Sequence, residues 1–321
     1  MGDEVKRPRT LATISGLVAA ASLAASGPAT SQVDPGRALG SDVFVTRDSD
    51  GMAATRARAT GLAAYANPWS YSGIAVQSVR YGQGDFRVHV PAVLGVYRDQ
   101  RRDTLAGIDI EAGVARVAGH LRPVGEATFR WHPAAATAVD LAVSADLVET
   151  QAALRRGIGY TFASAAVEHE LGERLTVAGL AGWQSFSDGN ARTHLRGRAI
   201  WLAVPEHGVS LQLRMRQYAS RDDDVGGAYF NPDDHRQWLG VAAIRKRHAG
   251  WTFSAALGAG QERSSGLGWR PAYLAEVRAE GAVAGNVRLV VRAGYNRSAG
   301  FVDDPDYAHR FVGLGIVIPF R

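Results

Sequence analysis

Apolar and polar residues alternate with a period of two through most of this chain. In NVRLVVRAGYNRS, residues 286–298, Val287, Leu289, Val291, Ala293 and Tyr295 fall on one side and Arg288, Arg292 and Asn296 on the other. Successive side chains of an extended strand point to opposite faces, so this stretch predicts a long strand with one apolar and one wet face. The pattern recurs at 41–48, 57–67, 70–82, 86–98, 104–117, 120–132, 138–149 and 156–169. It continues at 173–186, 191–204, 207–219, 235–247, 250–263, 270–281, 285–297 and 307–320. That makes about sixteen strands, an even number within the range of bacterial outer-membrane barrels. No stripe of helical period persists, and glycine is frequent inside the runs, as in strands that bend around a closed wall.

The connections alternate in length. PEHG (205–208), RHAG (247–250), LGER (171–174), VAGN (283–286) and NPWS (67–70) are tight turns, whereas 220–235 and 298–307 are long and polar. Short turns at one end and long loops at the other correspond to the periplasmic and extracellular ends of a transmembrane barrel. The faces are chemically distinct as well. Val209, Leu211, Leu213 and Met215 oppose Ser210, Gln212, Arg214 and Arg216, while Leu195, Ala199, Trp201 and Ala203 oppose His194, Arg196 and Arg198. A charge on the lipid face at mid-bilayer costs about 2–4 kcal/mol, which assigns the arginine face to the lumen. Trp131, Trp201, Trp251 and Phe320 lie on apolar faces near the short-turn end, and Trp183, Tyr273 and Tyr295 near the long-loop end. Two such girdles belong where amphipathic rings meet headgroups. The expected fold is therefore all-β: a transmembrane antiparallel β-barrel of the outer-membrane type. A soluble sandwich or propeller would place those rings indoors and rarely keeps strands this long.

Composition sharpens the reading. The chain has 321 residues, 46% of them hydrophobic, with a mean hydropathy of −0.11. That value excludes a bundle of membrane helices, each of which needs about 20 consecutive apolar residues. Residues 11–25, LATISGLVAAASLAA, follow Lys6, Arg7 and Arg9 and precede the small residues Ala29 and Ser31, as in a secretory signal peptide. The expected organisation is a leader at 1–32, cleaved between Ser26 and Val33, and a barrel at 33–321 delivered to the bacterial outer membrane. With no cysteine, the exported protein has neither disulfides nor a lipid-modified cysteine, so hydrogen-bonded architecture must hold it. The formal net charge is +5, and only Lys6 and Lys246 of the basic residues are lysines. The arginines are scattered singly through strands, unlike the basic stripe of a nucleic-acid binder, so no nucleic-acid partner is expected.

Several loops carry a further signal. RDSDG (47–51) follows the first strand, FSDGN (186–190) joins two long strands, and YFNP (229–232) opens the next one. RFVGLGIVIPFR (310–321), with alternating apolar residues up to Phe320, resembles the C-terminal recognition strand of outer-membrane proteins, although Arg321 follows the aromatic residue, and a glycine-rich strand, FSAALGAGQER (253–263), comes after the three loop motifs. Together, over about residues 42–321, the loop motifs and the glycine-rich strand resemble the C-terminal outer-membrane barrel domain of cellulose synthase operon protein C and of the poly-N-acetylglucosamine export porin. The resemblance implies a sixteen-stranded pore for a nascent exopolysaccharide, cellulose-like or poly-N-acetylglucosamine-like, with a place in biofilm formation. One departure stands out: fewer than about 15 residues separate the expected cleavage site from the first strand, where the family carries a long tetratricopeptide superhelix. A separate periplasmic tetratricopeptide protein or synthase complex would then be the partner, beside outer-membrane lipid, lipopolysaccharide and the polysaccharide itself.

An export pore needs a polar lumen that binds sugar hydroxyls weakly at many sites. The predicted inward face offers Arg122, Glu126 and Arg130, then Asp140 and Asp146. Farther along it offers Arg196 and Arg198, Arg214 and Arg216, Glu276 and Arg278, and finally Arg288 and Arg292. Guanidinium planes donate several hydrogen bonds and stack on flat faces, and the excess of positive charge suits a neutral or anionic glycan. The same residues could equally pair across strands and fill the interior. The acidic loop clusters Asp222–Asp224 with Asp233 and Asp234, and Asp303, Asp304 and Asp306, lack the spacing of a calcium loop and read as solvated tips. No metal or cofactor is expected. VEHELGERL (167–175) is not a zinc-protease motif, and no nucleophile elbow or phosphate-binding loop is present, so no enzymatic activity is expected, although Ser144 and His194 could meet across a lumen. Three functions remain in view: an exopolysaccharide export pore; a general or solute-selective porin, which predicts a loop folded into the lumen; and an envelope scaffold, which predicts a plugged interior.

Overall fold

The computed structural model describes residues 36–222, 224–301 and 304–320, with the side chains of 299–306 left undescribed. The leader read at 1–32 lies outside these residues, as do Asp223, Asp303 and Arg321. Seven strands come first: β1 (Gly36–Asp48), β2 (Ala53–Asn67), β3 (Ser70–Gln83), β4 (Phe86–Gln100), β5 (Gly107–Val117), β6 (His120–Ala134) and β7 (Thr137–Leu147). A short helix, α1 (Gln151–Arg156), interrupts the series. Nine strands follow: β8 (Gly159–Leu171), β9 (Leu175–Phe186), β10 (Ala191–Val204), β11 (Val209–Ser220), β12 (Asp234–His248), β13 (Trp251–Ser264), β14 (Arg270–Ala284), β15 (Val287–Phe301) and β16 (Asp304–Phe320).

Each strand pairs antiparallel with its neighbours in sequence, and β1 pairs with β16 from Arg37↔Phe320 to Asp48↔His309, closing the barrel. Closure removes the unpaired edge that an open sheet would present. Every run of alternation in the sequence corresponds to one strand. The differences are at the ends: the run at 156–169 starts as a strand only at Gly159, because Gln151–Arg156 is helical, and the runs at 41–48 and 57–67 begin earlier, at Gly36 and Ala53. Helical structure was not expected at all. Thr150 caps α1 by accepting from the Ala153 amide at 3.0 Å, Gly157 ends it at φ 63°, and Arg155 and Arg156 occupy its last turn.

The outer face is apolar. Ile74, Leu121 and Leu257 are 63%, 69% and 68% exposed, a degree of exposure that only a lipid environment makes favourable on a whole barrel wall. Exposed Trp131, Trp201 and Phe320 ring the end that carries Gly36 and Phe320, and exposed Trp183, Trp238, Tyr273 and Tyr295 ring the opposite mouth. Close packing between strands needs glycine in places: a Cβ on Gly113 would overlap the Val93 carbonyl oxygen of β4.

The expected contrast in loop length holds for only part of the circumference. The mouth has long connections at 148–158 and 221–233, but two-residue turns at 84–85 and 118–119. Those short turns leave room for α1, whose C-terminal Gly157 sits against the His120 ring at the start of β6.

Candidate functional site: the barrel interior and its mouth

Strands that are not neighbours in the wall touch only through the space the wall encloses, and such contacts identify the inner face. Arg58 of β2 hydrogen-bonds Glu111 of β5, Arg56 of β2 lies 3.9 Å from Asp146 of β7, and Arg130 of β6 lies 3.1 Å from Glu168 of β8. Phe129 and Trp131 on either side of Arg130, and Val167 beside Glu168, point the other way and are exposed.

The interior differs from one side to the other. On β2–β6 the inward positions are largely apolar and closed over: Leu62, Ala75, Val79, Val90, Leu94 and Val117 are buried. Leu154 of α1 packs into this same cluster, so the 148–158 loop lies inside the barrel. Several charges on this side are paired with one another. Beyond the cross-lumen pairs, Arg98 binds Asp109, and Arg58 also reaches Asp42 at 3.9 Å and Thr60 at 3.2 Å. Glu149, just before α1, accepts from Tyr81 at 2.9 Å and stands 3.8 Å from Arg56.

All thirteen residues singled out in the sequence occupy this inner face. Arg130 meets Asp140 at 3.6 Å as well as Glu168, Asp146 caps the Leu147 amide at 2.8 Å, and Arg122 donates to the Gly157 carbonyl at 2.7 Å, steadying the α1 loop. Glu126 stands in register with Glu111. Arg278 pairs with Glu280 at 2.8 Å and lies in register with Arg292, whose guanidinium covers the Phe44 ring at 4.5 Å. Glu276 is in register with Ala256 and Gly294, and Arg288 with Val317 and Ala282. On β10 and β11, Arg196 faces Arg216 and Arg198 faces Arg214. Gln212 ties this group together: its carbonyl oxygen accepts from Arg198 at 2.8 Å and from Arg214 at 2.9 Å. Ser144 and His194 do not meet; the His194 ring pairs with Gln184 at 2.9 Å.

The sequence reading missed Arg56, Arg58, Glu111 and Glu149, and placed Gln212 on the inner face without giving it a role. The alternation in TRARAT (55–60) was the available signal for the first two.

The mouth brings together two loop motifs that are forty-odd positions apart in the chain. Phe186 stacks on Tyr229 with centroids 4.7 Å apart and planes at 13°. Asn190 donates to the Tyr229 hydroxyl at 3.1 Å and to Asn231 at 2.8 Å, and its own carbonyl accepts the Ala191 and Asp222 amides. Arg192 donates to the Phe230 carbonyl at 2.8 Å while lying over both Phe186 and Tyr218. Thr150 bonds the Ala228 carbonyl and Arg156 the Val225 carbonyl, which joins the 221–233 loop to α1. Burial, opposed by the Asn190 hydrogen bond and reinforced by neighbouring Asp188, pushes the Tyr229 hydroxyl above its ordinary pKa, so it remains a donor to Asp188 at 3.3 Å. Among the described residues, no group of three or more acidic or histidine side chains is arranged to hold a metal.

A closed wall of sixteen antiparallel strands, with an apolar exterior between aromatic girdles and a charged interior, defines a porin-like β-barrel of the outer-membrane type. One family model and one solved fold agree at this level. The family model described as "Putative beta-barrel porin 2" matches residues 115–242. A solved chain titled "Bacterial polysaccharide outer membrane secretin" superposes with a TM-score of 0.66 at 12% identity, over 90% of this chain and 100% of that one. CdiB from Acinetobacter baumannii gives 0.48 at 8% identity over 88% of this chain and 60% of that one. OpdQ from Pseudomonas aeruginosa gives 0.46 at 10% identity over 90% and 100%. At such identities the likeness is one of fold. No curated protein matches the chain in sequence.

Proposed function

We propose that this barrel is a conduit in the outer membrane through which an exopolysaccharide leaves the cell. The observation that carries the reading is the mouth. FSDGN and YFNP, two of the motifs behind the resemblance to polysaccharide export barrels, form one buried assembly through the Phe186–Tyr229 stack and the Asn190 hydrogen bonds. A chain passing through would meet a wet, arginine-lined wall on β10 and β11, whose many donors suit sugar hydroxyls. The likeness in fold to a polysaccharide secretin supports the same reading. On this proposal the thirteen inward residues line or shape the path, lipopolysaccharide surrounds the mouth, and a periplasmic tetratricopeptide protein or synthase complex feeds the polymer in from the other end.

One observation favours a second reading, a solute-selective porin: the 148–158 loop lies inside the barrel, where a constriction would sit. Planar-bilayer conductance of the refolded chain separates the two. Stepwise conductance blocked by long oligosaccharides but not by monosaccharides supports the polymer conduit. Conductance indifferent to glycan length favours the porin, and a folded barrel that does not conduct overturns both. Replacing residues 149–157 by a short Gly-Ser linker is expected to raise conductance several-fold under either reading, because α1 and its contacts to Tyr81, Arg122 and Ala228 occupy the mouth.

A further inference from the structure

We propose that Arg196, Arg198, Arg214 and Arg216 form a binding site for the carboxylate groups of an acidic glycan. This deepens the conduit reading and rests on it for the route the glycan takes, but the site stands on its own geometry. The four side chains project from the middle of β10 and β11 as two successive rungs, Arg196↔Arg216 and Arg198↔Arg214. Like charges placed directly opposite each other destabilise a sheet, and here the arrangement occurs twice in succession. Among the described residues, no carboxylate lies within salt-bridge distance of Arg196, Arg214 or Arg216, and the Nε atoms of Arg196 and Arg216 are buried without a hydrogen-bond partner. Two successive rungs of like charge, in which Arg196, Arg214 and Arg216 have no carboxylate at hand, call for an anion that the folded chain does not supply.

The surroundings are arranged to leave that charge in place. The carboxylates that face the quartet are engaged or stand back: Glu168 is held by Arg130, and Glu262 accepts from Gln237 and Ser298. Glu276 faces the quartet from β14, with Ala256 and Gly294 as its register partners. Where a carboxylate would neutralise the group, the chain has Gln212. Its neutral carbonyl accepts from the guanidiniums of both Arg198 and Arg214 and so fixes their planes, leaving the Arg214 charge unquenched. Aromatic rings lie near the other pair, Phe162 at 5.9 Å from Arg196 and Tyr218 at 5.9 Å from Arg216.

Oriented guanidinium forks match planar carboxylates two bonds at a time. The rungs lie about 7 Å apart along the strands, so a chain with regularly spaced anionic groups can hold one rung while reaching the next. A path needs such a pair of adjacent sites if a bound polymer is to keep moving.

The test is titration calorimetry on the full chain refolded in detergent, with trigalacturonate, cellotriose and inorganic phosphate as probes, beside bilayer conductance on the same preparation. The wild type is expected to bind trigalacturonate at least tenfold more tightly than either of the others, with an affinity that falls as salt rises. Gln212→Glu, which places a carboxylate between Arg198 and Arg214 without changing the shape of the side chain, is expected to weaken trigalacturonate at least tenfold while the barrel remains folded by circular dichroism. Arg196→Gln with Arg216→Gln should act in the same direction. Equal binding of trigalacturonate and cellotriose overturns the proposal, as does an unaffected Gln212→Glu variant. Phosphate binding as tightly as trigalacturonate also overturns it, in favour of a small-anion site. Binding without conductance keeps the site and removes the conduit; conductance without uronate binding does the reverse.

Discussion

The two sides of the barrel interior solve the same problem in opposite ways. On β2–β7 the space is filled: apolar side chains such as Val90 and Leu94 are buried, α1 packs onto them, and each arginine with a described ion pair there has a carboxylate at hand. On β10 and β11 the inward side chains of the middle rungs are arginines that face arginines, held by Gln212. A barrel wall held by closed hydrogen bonding does not need its interior filled on every side. The other is then free to carry charge that the fold itself does not use, and this is the arrangement expected of a wall that contacts something passing through.

Substitutions can break this contrast. The largest effect should come from Leu94→Ala, which opens a cavity on the filled side and is expected to cost about 2–5 kcal/mol in urea unfolding from lipid vesicles; a loss below that range would mean this side is loosely packed. Next, Arg58→Ala leaves Glu111 and Asp42 without their cation and should cost roughly 1–3 kcal/mol in the same assay. At the mouth, Tyr229→Phe removes one hydroxyl from the Asn190–Asp188 pair and should cost about 0.5–1.5 kcal/mol, with faster proteolytic nicking within 221–233 as a second readout. The smallest effect, and the most informative in sign, belongs to Arg196→Gln. Relieving one like-charge rung should leave stability unchanged or raise it by about 0.2–1 kcal/mol. If Arg196→Gln destabilises as much as Arg58→Ala, the two sides are not different in kind.

The strands could be read from the sequence because their period of two is imposed twice, by lipid outside and by the filled or charged space inside. A residue such as Leu257 or Arg198 announces its face whatever its neighbours are. α1 was hidden because its residues are too few to establish a helical period, although Thr150 before it, Arg155 and Arg156 in its last turn, and Gly157 after it are the signals of a helix start and stop. The inward direction of the arginines followed from parity, but their pairing did not. Arg196 meets Arg216 only because the 205–208 turn and the register shift between Leu202 and Val204 set the pairing, and a different turn would have brought each to another partner. The contact between FSDGN and YFNP is likewise invisible along the chain, since it joins loops through three-dimensional packing.

The pairing of β1 with β16 carries a consequence for how the molecule comes into being. The first described strand finds its second neighbour only when the last one is available, so the wall cannot close until the whole chain has been made. Until then, two strand edges and an apolar exterior are exposed together, a combination prone to aggregation in water. The seam Arg37–Asp48 against His309–Phe320 thus makes the final step of assembly the most non-local one, and slow on topological grounds. Whatever keeps the chain soluble on its way to the membrane must hold both ends until that seam forms.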